Sequence, residues 1–102
     1  MPKNTVVLLN VVKMEPANQA TVLELLKQST RNVISTLKGW VSTRLVAAND
    51  GASIVIYSEW ETEADIAAMR ADERMVAYFP KIRELATFES IQGHVVLNET
   101  NA

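Results

Sequence analysis

The chain has 102 residues, 48% of them apolar and 22% charged, with a formal net charge of −2. That length supports a single domain around one modest core, and the composition is that of a globular protein rather than a disordered one. The acidic balance lacks the basic footprint of a nucleic-acid binder. Without cysteine there are no disulfides, thiolate metal sites or cysteine nucleophiles, and one histidine, His94, is too few for a histidine metal cluster.

The opening MPKNTVVLLNVVKMEP holds only a short apolar run before charge and proline intervene. It reads as neither a membrane span nor a signal peptide, so no membrane partner and a cytoplasmic location are expected. Within it, TVVLLNVVKM is β-branched and aliphatic, too short for a buried helix, and closed by Glu15-Pro16. It predicts a first strand. Pro16 and Asn18 then suit a helix start, the first by its fixed φ and the second by capping. Val22, Leu23, Leu26, Val33, Ile34 and Leu37 recur at helical spacing up to Lys38-Gly39, where glycine is a natural stop, and Thr30 interrupts the stripe.

WVSTRLVAANDGASIVIYSEW predicts a hairpin turning at Asp50-Gly51. Thr62 with Asp65 three residues on forms a capping box that starts a helix through Arg70. A further start at Asp72 carries Met75, Val76, Phe79 and Ile82, with Pro80 breaking or restarting the helix. FESIQGHVVL closes the chain as a last strand containing His94, with Gly93 as a candidate bulge. The order is β-α-β-β-α-β, an α+β ferredoxin-like pattern with an antiparallel sheet.

A sheet covered by helices on one face should alternate apolar and polar residues. Here Val6, Leu8 and Val12 on one face of strand one are opposed by Val7, Leu9 and Val11 on the other. Ile54 and Ile56 are likewise opposed by Val55 and Tyr57. Two helices cannot cover both faces, and an uncovered apolar face marks an interface. A homodimer that buries Val7, Leu9, Val55 and Tyr57 is expected.

GWVSTRLVAANDGASIVIYSEWETEADIAAM followed by ADERMVAYFPKI resembles the antibiotic biosynthesis monooxygenase family over nearly the whole chain. The features that carry the likeness are Gly39 with its aromatic neighbour, Asp50-Gly51 and Trp60-Glu61. The resemblance implies a dimeric α+β barrel whose two sheets pack face to face. Its members include cofactor-independent oxygenases of polyketide quinols, quinol oxygenases and haem-degrading enzymes, with the ligand between sheet and helices. It also implies that the strand face of Ile56, Ser58 and Trp60 looks towards the helices, with the indole lining the pocket mouth. Polyketide-type members carry an asparagine where Ile56 stands, a tyrosine matching Ile66 and a helix arginine at about Phe79. Haem-degrading members place their iron-binding histidine near that same position, where Phe79 cannot ligate. Their strand-one asparagine is matched by Asn10.

Asn10 is the one amide inside an apolar strand, and burial obliges it to find partners. It either bonds neighbouring backbone or points into the cavity, where it could hold a phenolate or oxyanion. Trp60 is either plain core or a pocket wall, with an N–H that needs a partner when buried. Phe79 fits the inward stripe of its helix, and Tyr78 belongs at the border. Glu59, Glu61, Glu63 and Asp65 complement the dipole of the following helix. Gly39, Gly51 and Gly93 are isolated, so no phosphate loop exists.

Taken with the resemblance, these residues imply a cofactor-independent monooxygenase of a small aromatic quinol or phenol. Asn10 and Trp60 are its catalytic candidates, and Ile56, Ser58, Ile66 and Phe79 its pocket candidates. No cofactor, metal or nucleic acid is expected. The alternatives are a non-enzymatic dimeric module binding an apolar small molecule and, more weakly, a haem-binding or haem-degrading protein.

Overall fold

A computed structural model describes residues 4–101. The elements run β1 (Val6–Met14), α1 (Gln19–Asn32), β2 (Trp40–Ala47), β3 (Ser53–Trp60), α2 (Glu63–Ala71), α3 (Glu73–Arg83) and β4 (Ala86–Gly93). The strands form one four-stranded sheet in the order β2-β3-β1-β4, antiparallel throughout. This is the ferredoxin-like α+β arrangement expected from the order of the elements. No helix among the described residues is long and apolar enough to cross a membrane.

Several boundaries depart from the periodicity. α1 stops at Asn32, and Ile34–Thr36 continue as a separate 3₁₀ turn. Val33 breaks the helix at φ −122° and ψ −64°, in a β-branched stretch that holds helical geometry poorly. Gly39 does not cap the helix. It turns the chain into β2 at φ +82°, and a Cβ there would lie 2.0 Å from Asp65 Oδ2. Both the backbone conformation and the close approach therefore require glycine. Its carbonyl accepts a 2.7 Å hydrogen bond from Glu61 N–H, which ties the entry of β2 to the end of β3. Asn18 occupies the cap position of α1, but its side chain makes no capping bond.

The two later helices start as their residues dictate. Thr62 Oγ1 accepts from Asp65 N–H and donates to Asp65 Oδ2, and Asp72 Oδ1 accepts from Arg74 N–H. The Arg74 side chain bonds back to Asp72 and holds its carboxyl below the usual carboxylate range. Pro80 neither breaks nor restarts α3 but lies inside it. It costs the helix one backbone bond, because it has no N–H to offer the Val76 carbonyl.

β4 ends at Gly93, and His94 and Val95–Leu97 follow it outside the sheet. Gly93 is a regular partner of Val7 rather than a bulge, and the irregularity falls in β2 between Trp40 and Ser42. The hairpin loop does carry Gly51 at φ +80° and an Asp50 carboxylate that accepts from Ala52 N–H.

The helices cover one sheet face, and the buried core there divides in two. One cluster gathers Val12, Met14, Val22, Leu26, Ile54, Ile82 and Ala86. The other gathers Leu8, Val33, Trp60, Ile66, Met69 and Met75. Tyr78 is half-buried and packs against the edge of both. The opposite sheet face presents Leu9, Val11, Val55 and Tyr57 half-buried, flanked by Val46 and Ile91, which are 51% and 61% exposed. Val7 on that face is already covered within the chain, at 6% exposure.

Candidate functional site

Strand register brings the polar residues of the inner face together. Asn10 is paired with Ile56 on one side and Ser90 on the other, and Ser58 lies between Thr43 and Leu8. These side chains are too short to reach the helices opposite. On α1 the facing residues are Ser29 and Thr30, small hydroxyls whose Oγ atoms both donate back to the Leu26 carbonyl. The result is a cavity of about 420 Å³ between the two core clusters, with Leu26 and Ile82 at one side and Trp60, Met69 and Met75 at the other. That volume lies within the roughly 300–1,000 Å³ range of small-molecule pockets.

Asn10 lies on the sheet-side wall, and its carboxamide oxygen accepts a hydrogen bond from the Ser90 hydroxyl. With the oxygen engaged, the NH₂ end of the amide is the donor left for the cavity. Trp60 also lines the cavity but is 0% exposed, so it forms an inner wall and not the mouth. Its indole N–H donates to Ser58 Oγ at 3.1 Å, and that hydroxyl donates to the Leu8 carbonyl at 3.3 Å. The chain of bonds fixes the plane of the indole and satisfies its polar atom without a ligand.

Ile56, Ser58 and Phe79 line the cavity with them. Ile66 does not. It is 0% exposed and packs in the Trp60 cluster, behind the wall instead of on it. His94 is remote, on a separate hollow with Asn4, Glu63 and Gly93, and no histidine lines the main cavity. Trp40 is also outside it, with its indole N–H donating to Thr43 Oγ1 at 2.9 Å.

Several lining residues escaped the sequence reading: Thr43, Ser90, Met69, Arg70, Val76 and Arg83. Ser90 could have been found from the even spacing that places it opposite Asn10 once β4 is paired with β1. Arg83 could have been found four residues, one helical turn, beyond Phe79. The interruption at Thr30 was visible in the α1 stripe and marks the helix side of the cavity.

A match to the antibiotic biosynthesis monooxygenase family covers residues 5–81. Tetracenomycin-F1 monooxygenase of Streptomyces glaucescens is 34% identical over 79 residues, spanning 78% of this chain and 70% of that protein. Among solved structures, the monooxygenase ActVA-Orf6 of Streptomyces coelicolor, in complex with nanaomycin D, superposes with a TM-score of 0.86. It is 20% identical, with coverage of 100% of this chain and 96% of that one. SnoaB, a cofactor-independent oxygenase of Streptomyces nogalater, gives a TM-score of 0.71 at 19% identity, covering 95% of this chain and 96% of that one. At these identities the two structures speak for the fold.

The Ser58 link provides a direct stability test. Ser58→Ala leaves the buried Trp60 N–H without its acceptor, which should lower the unfolding free energy by about 1–3 kcal/mol in urea titrations. An unchanged midpoint would mean that the indole does not depend on Ser58.

Proposed function

The chain belongs to the antibiotic biosynthesis monooxygenase family, and we propose that it is a cofactor-independent monooxygenase of a small aromatic phenol or quinol held in the cavity between sheet and helices. The observation that carries this reading is the Asn10 amide on the sheet-side wall, its oxygen accepting from Ser90 and its NH₂ end left without a bond to the described residues that would compete with a ligand. A phenol that loses its proton can give electrons to dioxygen directly. One oxygen atom then enters the ring as a quinone carbonyl and the other leaves as water, so the four electrons required all come from the substrate. What such a reaction asks of the protein is a dry pocket and a donor that favours the phenolate over the phenol. Asn10 provides the donor, Trp60 a fixed aromatic wall, and Ile56 and Phe79 apolar contact that a bound ring would cover in place of water.

A binding module without catalysis is the second reading, favoured by one observation. No Asp, Glu, His, Lys or Tyr lines the cavity among the described residues, so no side chain there is an evident proton acceptor. Oxygen uptake separates the two. With metal-stripped protein and a panel of dihydroxynaphthalenes and anthracenols, uptake should proceed without added cofactor. Asn10→Ala should slow it about 10–1,000-fold, the scale for losing one oxyanion donor. Binding without uptake across the panel would favour the module. Uptake indifferent to Asn10→Ala would remove the role given to that amide.

We also propose a homodimer through the outer sheet face. Leu9, Val11, Val55 and Tyr57 form its apolar centre, with Arg44 and Glu59 at its rim. Burial, together with the hydrogen bond it donates to Glu59, pushes the Tyr57 hydroxyl above its ordinary pKa, so it stays protonated at neutral pH. A second copy offering the same face would cover these residues. Light scattering at micromolar concentration should give twice the chain mass, and Val55→Glu should dissociate or unfold the protein. A monomeric wild type would contradict the interface.

A further inference from the structure

Among the described residues that line the cavity, Arg70 and Arg83 are the only charged ones. They come from different helices, in the last turn of α2 and the last turn of α3. A basic residue in a last turn complements the helix dipole, which accounts for each arginine separately. It does not account for both helices directing theirs to one cavity without a carboxylate beside either. Arg74, four residues from Arg70, is paired with Asp72 at 3.2 Å, and Lys13 reaches Glu89. Neither Arg70 nor Arg83 has an acidic partner among the described residues. Arg83 instead lies over the ring of Phe79, its guanidinium carbon 5.6 Å from the ring centroid. That contact holds the side chain against a residue that is itself part of the cavity wall. The chain as a whole is acidic, at −2, so a local excess of positive charge here is not a reflection of overall composition.

From this charge arrangement we propose that the site takes its aromatic ligand as an anion, with a carboxylate or phenolate oxygen held by Arg70 and Arg83 at the helix side of the cavity. The proposal rests on the aromatic-pocket reading above and extends it to the charge of the substrate. The two guanidinium groups offer planar donors suited to an oxyanion. Both are exposed, so their pull on an anion is long-ranged at low ionic strength and weakens with salt. The missing proton acceptor then has a physical consequence. A site with two cations and no base favours whichever ligand form is already ionised, and it lowers the pKa of a phenol bound beside it. Where that anion is a phenolate, recruiting it from solution replaces deprotonation by a side chain; a carboxylate would anchor the ring and leave the phenol proton to solvent.

Calorimetric titration of the wild type and of the Arg70→Gln, Arg83→Gln double variant tests this with two probes, 2-naphthol and 3-hydroxy-2-naphthoate. Both variant positions are exposed, and far-UV circular dichroism checks that the double variant is folded. If the anion is a carboxylate, the naphthoate should bind the wild type about tenfold or more tightly than the naphthol at pH 7. That advantage should shrink with added salt and disappear in the double variant. If the anion is a phenolate, the naphthoate should show less than that tenfold advantage at pH 7, because its carboxylate does not occupy the place of the ring oxygen. Affinity for 2-naphthol should then rise as the pH passes the pKa of the naphthol, in the wild type and not in the variant. Equal affinities with no pH dependence, or an anion preference that survives the double substitution, would overturn the proposal and leave the aromatic pocket intact. No binding of either probe at any pH would overturn the pocket reading together with it.

Discussion

The inner face of the sheet is interrupted midway by side chains too short and too polar to fill the space beneath the helices. Asn10, Ser58, Thr43 and Ser90 lie close together across all four strands, and on the opposite wall α1 places Ser29 and Thr30. The core therefore closes on either side and not in the middle. The gap of about 420 Å³ opens to solvent past exposed Arg70, Val76, Pro80 and Arg83, so water fills it until a ligand displaces it.

The same interruption sets the chemistry. Polar atoms at the cavity wall are held by protein partners, and these partners decide which ends remain available to a ligand. Ser58 takes the indole N–H of Trp60, and the two α1 hydroxyls donate to the Leu26 carbonyl. Ser90 takes the oxygen of Asn10 and leaves its NH₂. Pro80 adds to the opening from the helix side, since it lies on the cavity within α3 and leaves the Val76 carbonyl without its helical donor. A local rule of helix construction is thus broken beside the site, the kind of place where such exceptions concentrate. The two arginines complete a lining in which every fixed charge is positive.

Much of this architecture could be read from the residues. Strand and helix order followed from short β-branched runs, the Thr62–Asp65 capping box and the loop glycine Gly51. Asn10 stood out because an amide in an apolar strand needs a partner. That partner lay on β4, eighty residues away, and no local pattern names it. Misreadings arose where tertiary contacts override periodicity. Val33 to Leu37 kept helical spacing while the backbone left the helix, and Gly39 answered to Asp65 instead of to a helix end. Val95–Leu97 kept strand composition beyond the last residue that pairs with β1. Ile66 and Trp60 could not be separated by spacing alone, because both face inward and only packing depth tells wall from backing. The arginines were hidden by their ordinary place at helix ends.

The central claim is that the gap between the two clusters is a ligand site with Asn10 and Trp60 on its wall. The two indole N–H groups are separate reporters, since Trp60 lines the cavity and Trp40 does not. The most direct measurement is a ¹H–¹⁵N correlation spectrum of labelled protein titrated with 3-hydroxy-2-naphthoate. The largest shifts should appear at the Trp60 indole N–H and the Asn10 side-chain amide, with the Trp40 indole moving little. Shifts concentrated at Tyr57 and Val55 on the outer face, with the Trp60 and Asn10 signals unmoved, would contradict it.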